Sequence, residues 1–159
     1  MHSRILQLEL KPDFERATED DLEEMVSAGI ADYVVELRTE EAIQDALDWF
    51  TGHYGGMTVG MDENDNTVIR IASRLDPLSR KLVTFQDKIK DLDLEKFCDF
   101  WWALSVVDLL GDRFGFYVWR NGYGYEKADM FFRSLKDDRD KSAGNNIVLY
   151  VGTIFDYHS

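Results

Sequence analysis

Three histidines and one cysteine are the side chains of this chain best suited to act as base or nucleophile near neutral pH. A Cys98–His53–carboxylate arrangement would give a thiolate with its base and orienting acid. The neighbours of Cys98 argue against it: Phe97, Phe100, Trp101 and Trp102 lie close in sequence, and Lys96 is the one basic residue nearby. A small buried hydrophobe is the simpler expectation. His2 and His158 are expected at mobile ends, and His53 lies at a helix terminus before Gly55-Gly56.

Carboxylates offer acid–base and metal chemistry. Asp99 and Asp108 stand within an aromatic-rich apolar stretch, the setting in which a carboxyl group is most readily perturbed. At about 100° per residue they fall on opposite faces of one helix and cannot form an acid/base pair there. One of the two is expected to face solvent; Asp108, between Val107 and Leu109, is a candidate to bond a buried donor such as an arginine, and a catalytic carboxylate is the further alternative. Asp62, Asn64, Asp65 and Asn66 have the composition of a calcium loop. The glycine and closing glutamate of such a loop are missing, so a hairpin turn is expected. A single cysteine excludes an internal disulfide and a multi-cysteine zinc site. No catalytic set, metal site or cofactor is expected.

Two features remain that suit binding. Trp119-Arg120-Asn121-Gly122-Tyr123-Gly124-Tyr125 interleaves aromatics with glycine and one arginine. Trp119, Arg120, Tyr123 and Tyr125 have the make-up of a stacking or sugar-binding platform, or of a protein hot spot. The plainer alternative is a tight turn whose aromatics cover a sheet. No lysine follows the glycines, so this is not a phosphate loop.

The second feature is charge. Residues 13–48 hold thirteen acidic and two basic side chains, a net of −11 out of the chain's −13. The other 123 residues, with 16 Lys/Arg against 18 Asp/Glu, are almost neutral. Such a block draws basic partners and repels nucleic acid, unless it is only a solvated face. Glu19, Asp20, Asp21, Glu23, Glu24, Glu41, Asp45 and Asp48 are the candidate partner-binding residues. Duplex DNA carries about one charge per 1.7 Å of axis, far denser than this, so an inhibitor or adaptor fits better than a DNA mimic. The basic stretch Arg70, Arg74, Arg80, Lys81, Lys88 and Lys90 is broken up by Asp76, Asp87 and Asp91, which disfavours direct nucleic-acid binding.

The elements that must carry these residues follow from periodicity and capping. Ile5–Leu10 alternates as a strand. Thr18 with Asp21 forms a capping box that opens a helix at Glu19. Gly29 is read as its stop, leaving Ile30–Leu37 as a strand, although the apolar spacing there also fits a helix. Glu40–Tyr54 is the clearest helix, with Ile43, Ala46, Leu47 and Phe50 on its apolar face. Residues 57–62 and 67–73 flank a polar loop as a hairpin. Arg74–Lys90 is a mixed, more basic stretch with no assigned element. Asp93 caps a helix from Leu94 to about Leu110 that is apolar nearly all round and is therefore expected at the centre of the core.

Phe114–Trp119 reads as a strand, Asn121-Gly122 as a turn and Glu126–Lys136 as a helix by composition. Residues 137–145 form a polar loop, and 146–157, apolar on both faces, suit a central strand. The sum is an α+β fold: a mixed, mainly antiparallel sheet with three to four helices packed on it. At 159 residues one domain spanning 1–159 is expected, burying roughly 70% of its unfolded surface.

The longest apolar run, Phe97–Leu110, is shorter than the about 20 residues of a membrane span, and the N-terminus has no apolar signal core. A reducing cytoplasm is the simplest location. These readings favour a non-enzymatic binding protein whose acidic N-terminal surface engages a basic protein, as an inhibitor or immunity-type partner. The alternatives are a ligand-binding or hydrolytic domain using the Trp119–Tyr125 loop and Asp108, and a structural or assembly subunit of phage or mobile-element origin.

Overall fold

β1 (His2–Glu9) shows why the sheet is covered on both sides. Its side chains alternate, and both sets are buried: Leu6 and Leu8 enter one apolar cluster, Ile5 the other. The computed structural model describes residues 2–73, 76–111, 115–135 and 147–159. Around β1 it arranges β2 (Tyr33–Glu36), β3 (Met57–Met61), β4 (Thr67–Ile71), β5 (Tyr117–Arg120), β6 (Gly124–Lys127) and β7 (Ile147–His158). The strand order is β3-β4-β7-β1-β5-β6, with β2 also paired to β7. Every pairing is antiparallel except β1 with β5. This is the mixed, mainly antiparallel α+β sheet that the pattern predicts.

β7 is the hub. It pairs with β1 along one side, and on the other its first residues meet β4 and its last meet β2. The register against β1 shifts between Leu6 and Leu8. Gly152 lies at that irregularity, and a Cβ there would overlap the Gln7 Oε1 atom. The missing side chain makes room for a buried amide. Gln7 Oε1 accepts the backbone N–H groups of Ala17 (2.8 Å) and Thr153 (3.1 Å), and its Nε2 donates to the Glu15 carbonyl at 2.7 Å. One polar side chain thus pins the loop after β1 onto the sheet.

The first face is covered by α2 (Glu40–His53) and α6 (Ala128–Ser134). Ala46, Leu47, Phe50, Phe131 and Phe132 lie on Leu6, Leu8, Ile69, Leu149 and Ile154. Phe50 and Phe116 meet edge to face at 5.1 Å. Burying an aromatic of this kind contributes roughly 1.5–3 kcal/mol. Thr39 caps α2 by accepting the Ala42 N–H.

The second face is covered by the segment between β1 and β2. A 3-10 turn (Asp20–Leu22) and α1 (Glu23–Ser27) set Leu22 and Met25 against Ile5, Trp119, Phe155 and Tyr157. The capping box forms through its second half: Asp21 accepts the N–H of Thr18 at 2.7 Å. Gly29 ends α1 with φ +70°, and the following residues form the strand, so the glycine stop outweighs the helical spacing.

Six α-helices occur among the described residues, above the three to four expected. Part of the excess is α3 (Asp76–Ile89), in the stretch with no assigned element. The rest includes a break: the predicted 94–110 helix is two, α4 (Leu94–Cys98) and α5 (Phe100–Gly111). Asp99 leaves helical geometry with ψ 114°, and its carboxylate accepts the N–H of Trp101 at 2.9 Å, which restarts the chain as a new helix. Asp93 caps α4 as predicted, accepting the Lys96 N–H.

The expectation that this segment lies at the centre of the core is wrong. α5 packs on α3 and α4, and Phe100, Trp101 and Val107 are more than 60% exposed. Cys98, expected as a buried hydrophobe, is exposed. The sheet is already filled on both faces by other helices, so apolar composition alone did not win this segment a central place. The predicted loop at 137–145 lies outside the described residues.

Candidate functional site

All eight candidate carboxylates, Glu19, Asp20, Asp21, Glu23, Glu24, Glu41, Asp45 and Asp48, are exposed. None forms an ion pair with a Lys, Arg or His among the described residues. Their placement is not one flat patch. The set from Glu19 to Glu24 rides on the 3-10 turn and α1, over the second face of the sheet. Glu41, Asp45 and Asp48 ride on α2, over the first.

The two sets approach each other around β2. Glu19 accepts the backbone N–H of Glu36 at 2.9 Å, which brings the first set to the end of that strand. Three residues separate Glu36 from the start of α2 at Glu40. The charge therefore follows a band around the β2 margin, interrupted by Arg38, which pairs with Glu36 at 3.3 Å.

Beside the α2 half lies a cluster that the sequence did not disclose. His2, Tyr33 and His158 come together from three strands: Tyr33 stacks on His158 at 5.7 Å, and His2 meets His158 edge-on at 5.1 Å. His2 bonds Asp156 at 3.0 Å, His158 bonds Asp32 at 2.9 Å, and Arg4 pairs with Asp156. Arg4 also lies over the ring of Trp49 at 5.2 Å, and Trp49 is 44% exposed. Sequence position suggested loose ends for both histidines, but β1–β7 pairing places them opposite each other. Long-range strand pairing is the one signal that could have found them.

The Trp119–Tyr125 loop is a hairpin turn between β5 and β6, with Gly122 and Gly124 at φ +74° and +76°. Its four candidates are not gathered on one surface. Trp119 is buried in the second-face cluster, and Tyr125 packs edge-on against Tyr117. Arg120 pairs with Glu126 at 3.1 Å and lies 4.4 Å from the Tyr123 ring, the one candidate that is freely exposed. The turn itself is tied down, since Asn121 donates its N–H to Glu9 at 2.7 Å. Asp108 is half-buried on α5, in a different part of the fold.

Asp62 is occupied by its own turn. Its carboxylate accepts the side-chain amide of Asn66 (3.0 Å) and the N–H groups of Asn64 and Asn66. The Asn66 amide foremost, with these backbone donors, holds the Asp62 carboxyl below its ordinary value. Among the described residues no three His, Cys, Asp or Glu side chains converge in a way that could hold a metal ion. No described helix is long and apolar enough to cross a membrane.

A second unforeseen network lies inside the molecule. Asp129 is buried, accepts the Tyr54 hydroxyl at 3.0 Å and pairs with Lys81. It links α2, α3 and α6. Both partners converge on the one carboxylate, an arrangement suited to fixing the three helices against one another. Comparison with protein-family models, with curated proteins and with solved structures finds no match.

Proposed function

We propose that this protein is a non-enzymatic binding protein whose acidic N-terminal surface engages a basic protein, as an inhibitor or immunity-type partner. One observation carries the reading: eight carboxylates from a single stretch of chain are exposed and unneutralised by any described cation. A field of that sign accelerates encounter with a cationic surface and rejects acidic partners.

Affinity needs anchors as well as charge. The α2 half of the band supplies one in Trp49, which stands next to Asp48 and one helical turn after Asp45. Tyr33 and Val35 on β2, both partly exposed, lie in the gap between the two acidic sets. This favours the α2 and β2 side of the band as the docking side.

The test is affinity purification of partners from the native host with low-salt and high-salt washes. The expected result is a strongly basic protein that is retained at low salt and released as salt rises. A partner held equally well at high salt, or one without basic character, overturns the reading.

A further inference from the structure

The apolar arm formed by α3, α4 and α5 plays no part in the surface just described. On α5 the residues Phe100, Trp101, Leu104 and Val107 recur at i, i+1, i+4 and i+7, one helical stripe, with Asp108 falling within it between Leu104 and Trp101. The opposite side of the helix, through Trp102 and Leu109, is half-buried, and α5 packs on α3 and α4. Leu94 and Phe97 on α4 extend the outward apolar surface, so that Leu94, Phe97, Phe100, Trp101 and Val107 range from 62% to 77% exposed. Leu82 and Val83 on α3 are more than half exposed as well.

From this arm we infer that the protein associates with a second copy of itself through the α4–α5 face, supported by Leu82 and Val83. Three observations choose this occupant. The first is area. With about 150–250 Å² available per aromatic and roughly 100 Å² per aliphatic side chain, the five residues of α4 and α5 at their exposures offer on the order of 500 Å² of apolar surface. That lies in the upper part of the about 300–600 Å² of the largest, often functional, patch on a monomer and would form the apolar centre of the about 800 Å² each partner gives to a standard interface.

The second is charge. Two chains of net charge −13 repel unless they meet where charge is balanced. Residues 76–111, with five basic and seven acidic side chains, are such a region, whereas residues 13–48 are not. A face with so little net sign also has nothing to select a cationic partner.

The third is form. The surface is the exposed stripe of a helix, and two such stripes can pack against each other about a two-fold axis.

The experiment is the solution mass of the full chain, by sedimentation or light scattering across a micromolar concentration range, at low and high salt. The wild type is expected at twice 18.5 kDa, with self-association kept or strengthened by salt. The exposed-site variant Phe100→Glu/Trp101→Glu should shift to the mass of one chain, with circular dichroism and melting temperature unchanged. Milder changes, Leu94→Ser/Val107→Ser, should weaken association in the same direction without adding charge.

A wild type that stays at single-chain mass overturns the inference, as does a dimer that both variants leave intact. Flotation of the single chain with uncharged phosphatidylcholine vesicles would assign the face to a membrane surface and also overturn it. Because the acidic-surface reading predicts binding that fades with salt and ignores these substitutions, the two proposals fail on different measurements.

Discussion

Tyr54 donates its hydroxyl to the Asp129 carboxylate at 3.0 Å, joining residues 75 positions apart in a buried network that Lys81 completes. Removing one member of a buried ion pair strands the other charge in a poorly solvated site. Asp129→Ala should therefore lower stability by about 3–5 kcal/mol. Tyr54→Phe, which removes one hydrogen bond and leaves the ion pair, should cost about 1–2 kcal/mol. Denaturant unfolding midpoints measure both, and a smaller loss for Asp129→Ala than for Tyr54→Phe contradicts the assignment.

Gln7 and Gly152 should behave as a unit. Gly152→Ala places a methyl group on the Gln7 amide, so the amide must leave and abandon the N–H groups of Ala17 and Thr153. A loss of about 2–3 kcal/mol is expected, of the size of an unsatisfied buried polar group with local overpacking. Gln7→Leu should cost a similar amount. The double variant should cost less than the two single losses combined, because they share one set of lost bonds. Hydrogen exchange at Ala17 and Thr153 should accelerate in all three variants.

The two halves of the acidic band can be weighed separately because the sheet lies between them. Glu41→Lys/Asp45→Lys/Asp48→Lys should slow association with a basic partner by about tenfold or more at low salt. Glu23→Lys/Glu24→Lys should slow it less, since no exposed tryptophan stands beside those residues. Stopped-flow or surface-binding kinetics across a salt series reads the difference. Equal effects would place the partner over the middle of the band, and no effect from either set would remove the acidic surface from function.

Acid should loosen the β3–β4 turn. In the unfolded chain Asp62 titrates near its ordinary value of 3.8, and in the fold it titrates lower because Asn66 and Asn64 donate to its charged form. The stabilisation is therefore complete above the ordinary value and is lost as pH falls through the lower folded value. Carboxyl chemical shifts should report a midpoint below 3.8 for Asp62. Asp62→Asn should remove that acid dependence and speed exchange of the Asn64 and Asn66 amides at neutral pH.

Elements with strong local signals were readable from the sequence. Thr39 with its 3.6-period face marked α2, the polar loop marked the β3–β4 hairpin, and apolar residues on both faces marked β7. The acidic residues were legible as a block but not as a shape. A four-residue strand, β2, carries the chain from one face of the sheet to the other between Glu24 and Glu41. The apolar stretch around Trp101 was misplaced because hydropathy reports what a residue prefers, not whether room remains beside the sheet. Trp119 was offered as a ligand platform, yet strand alternation turned it inward. The Tyr54–Asp129–Lys81 network and the His2–Tyr33–His158 cluster join distant segments, and no local pattern encodes such meetings.

The hub position of β7 sets an order of events for folding. His2 pairs with His158, and the segments that flank β7 on its other side, β4 and β2, precede it in the chain by more than 70 residues. None of these three strands can form its ladder with β7 until residues 147–158 arrive, and the entropy of closing so long a loop is lost before those ladders return any free energy. Assembly should consequently be slow for a chain of this size, with the β7-facing edges of β1 and β4 left open in the meantime while their other edges pair with β5 and β3.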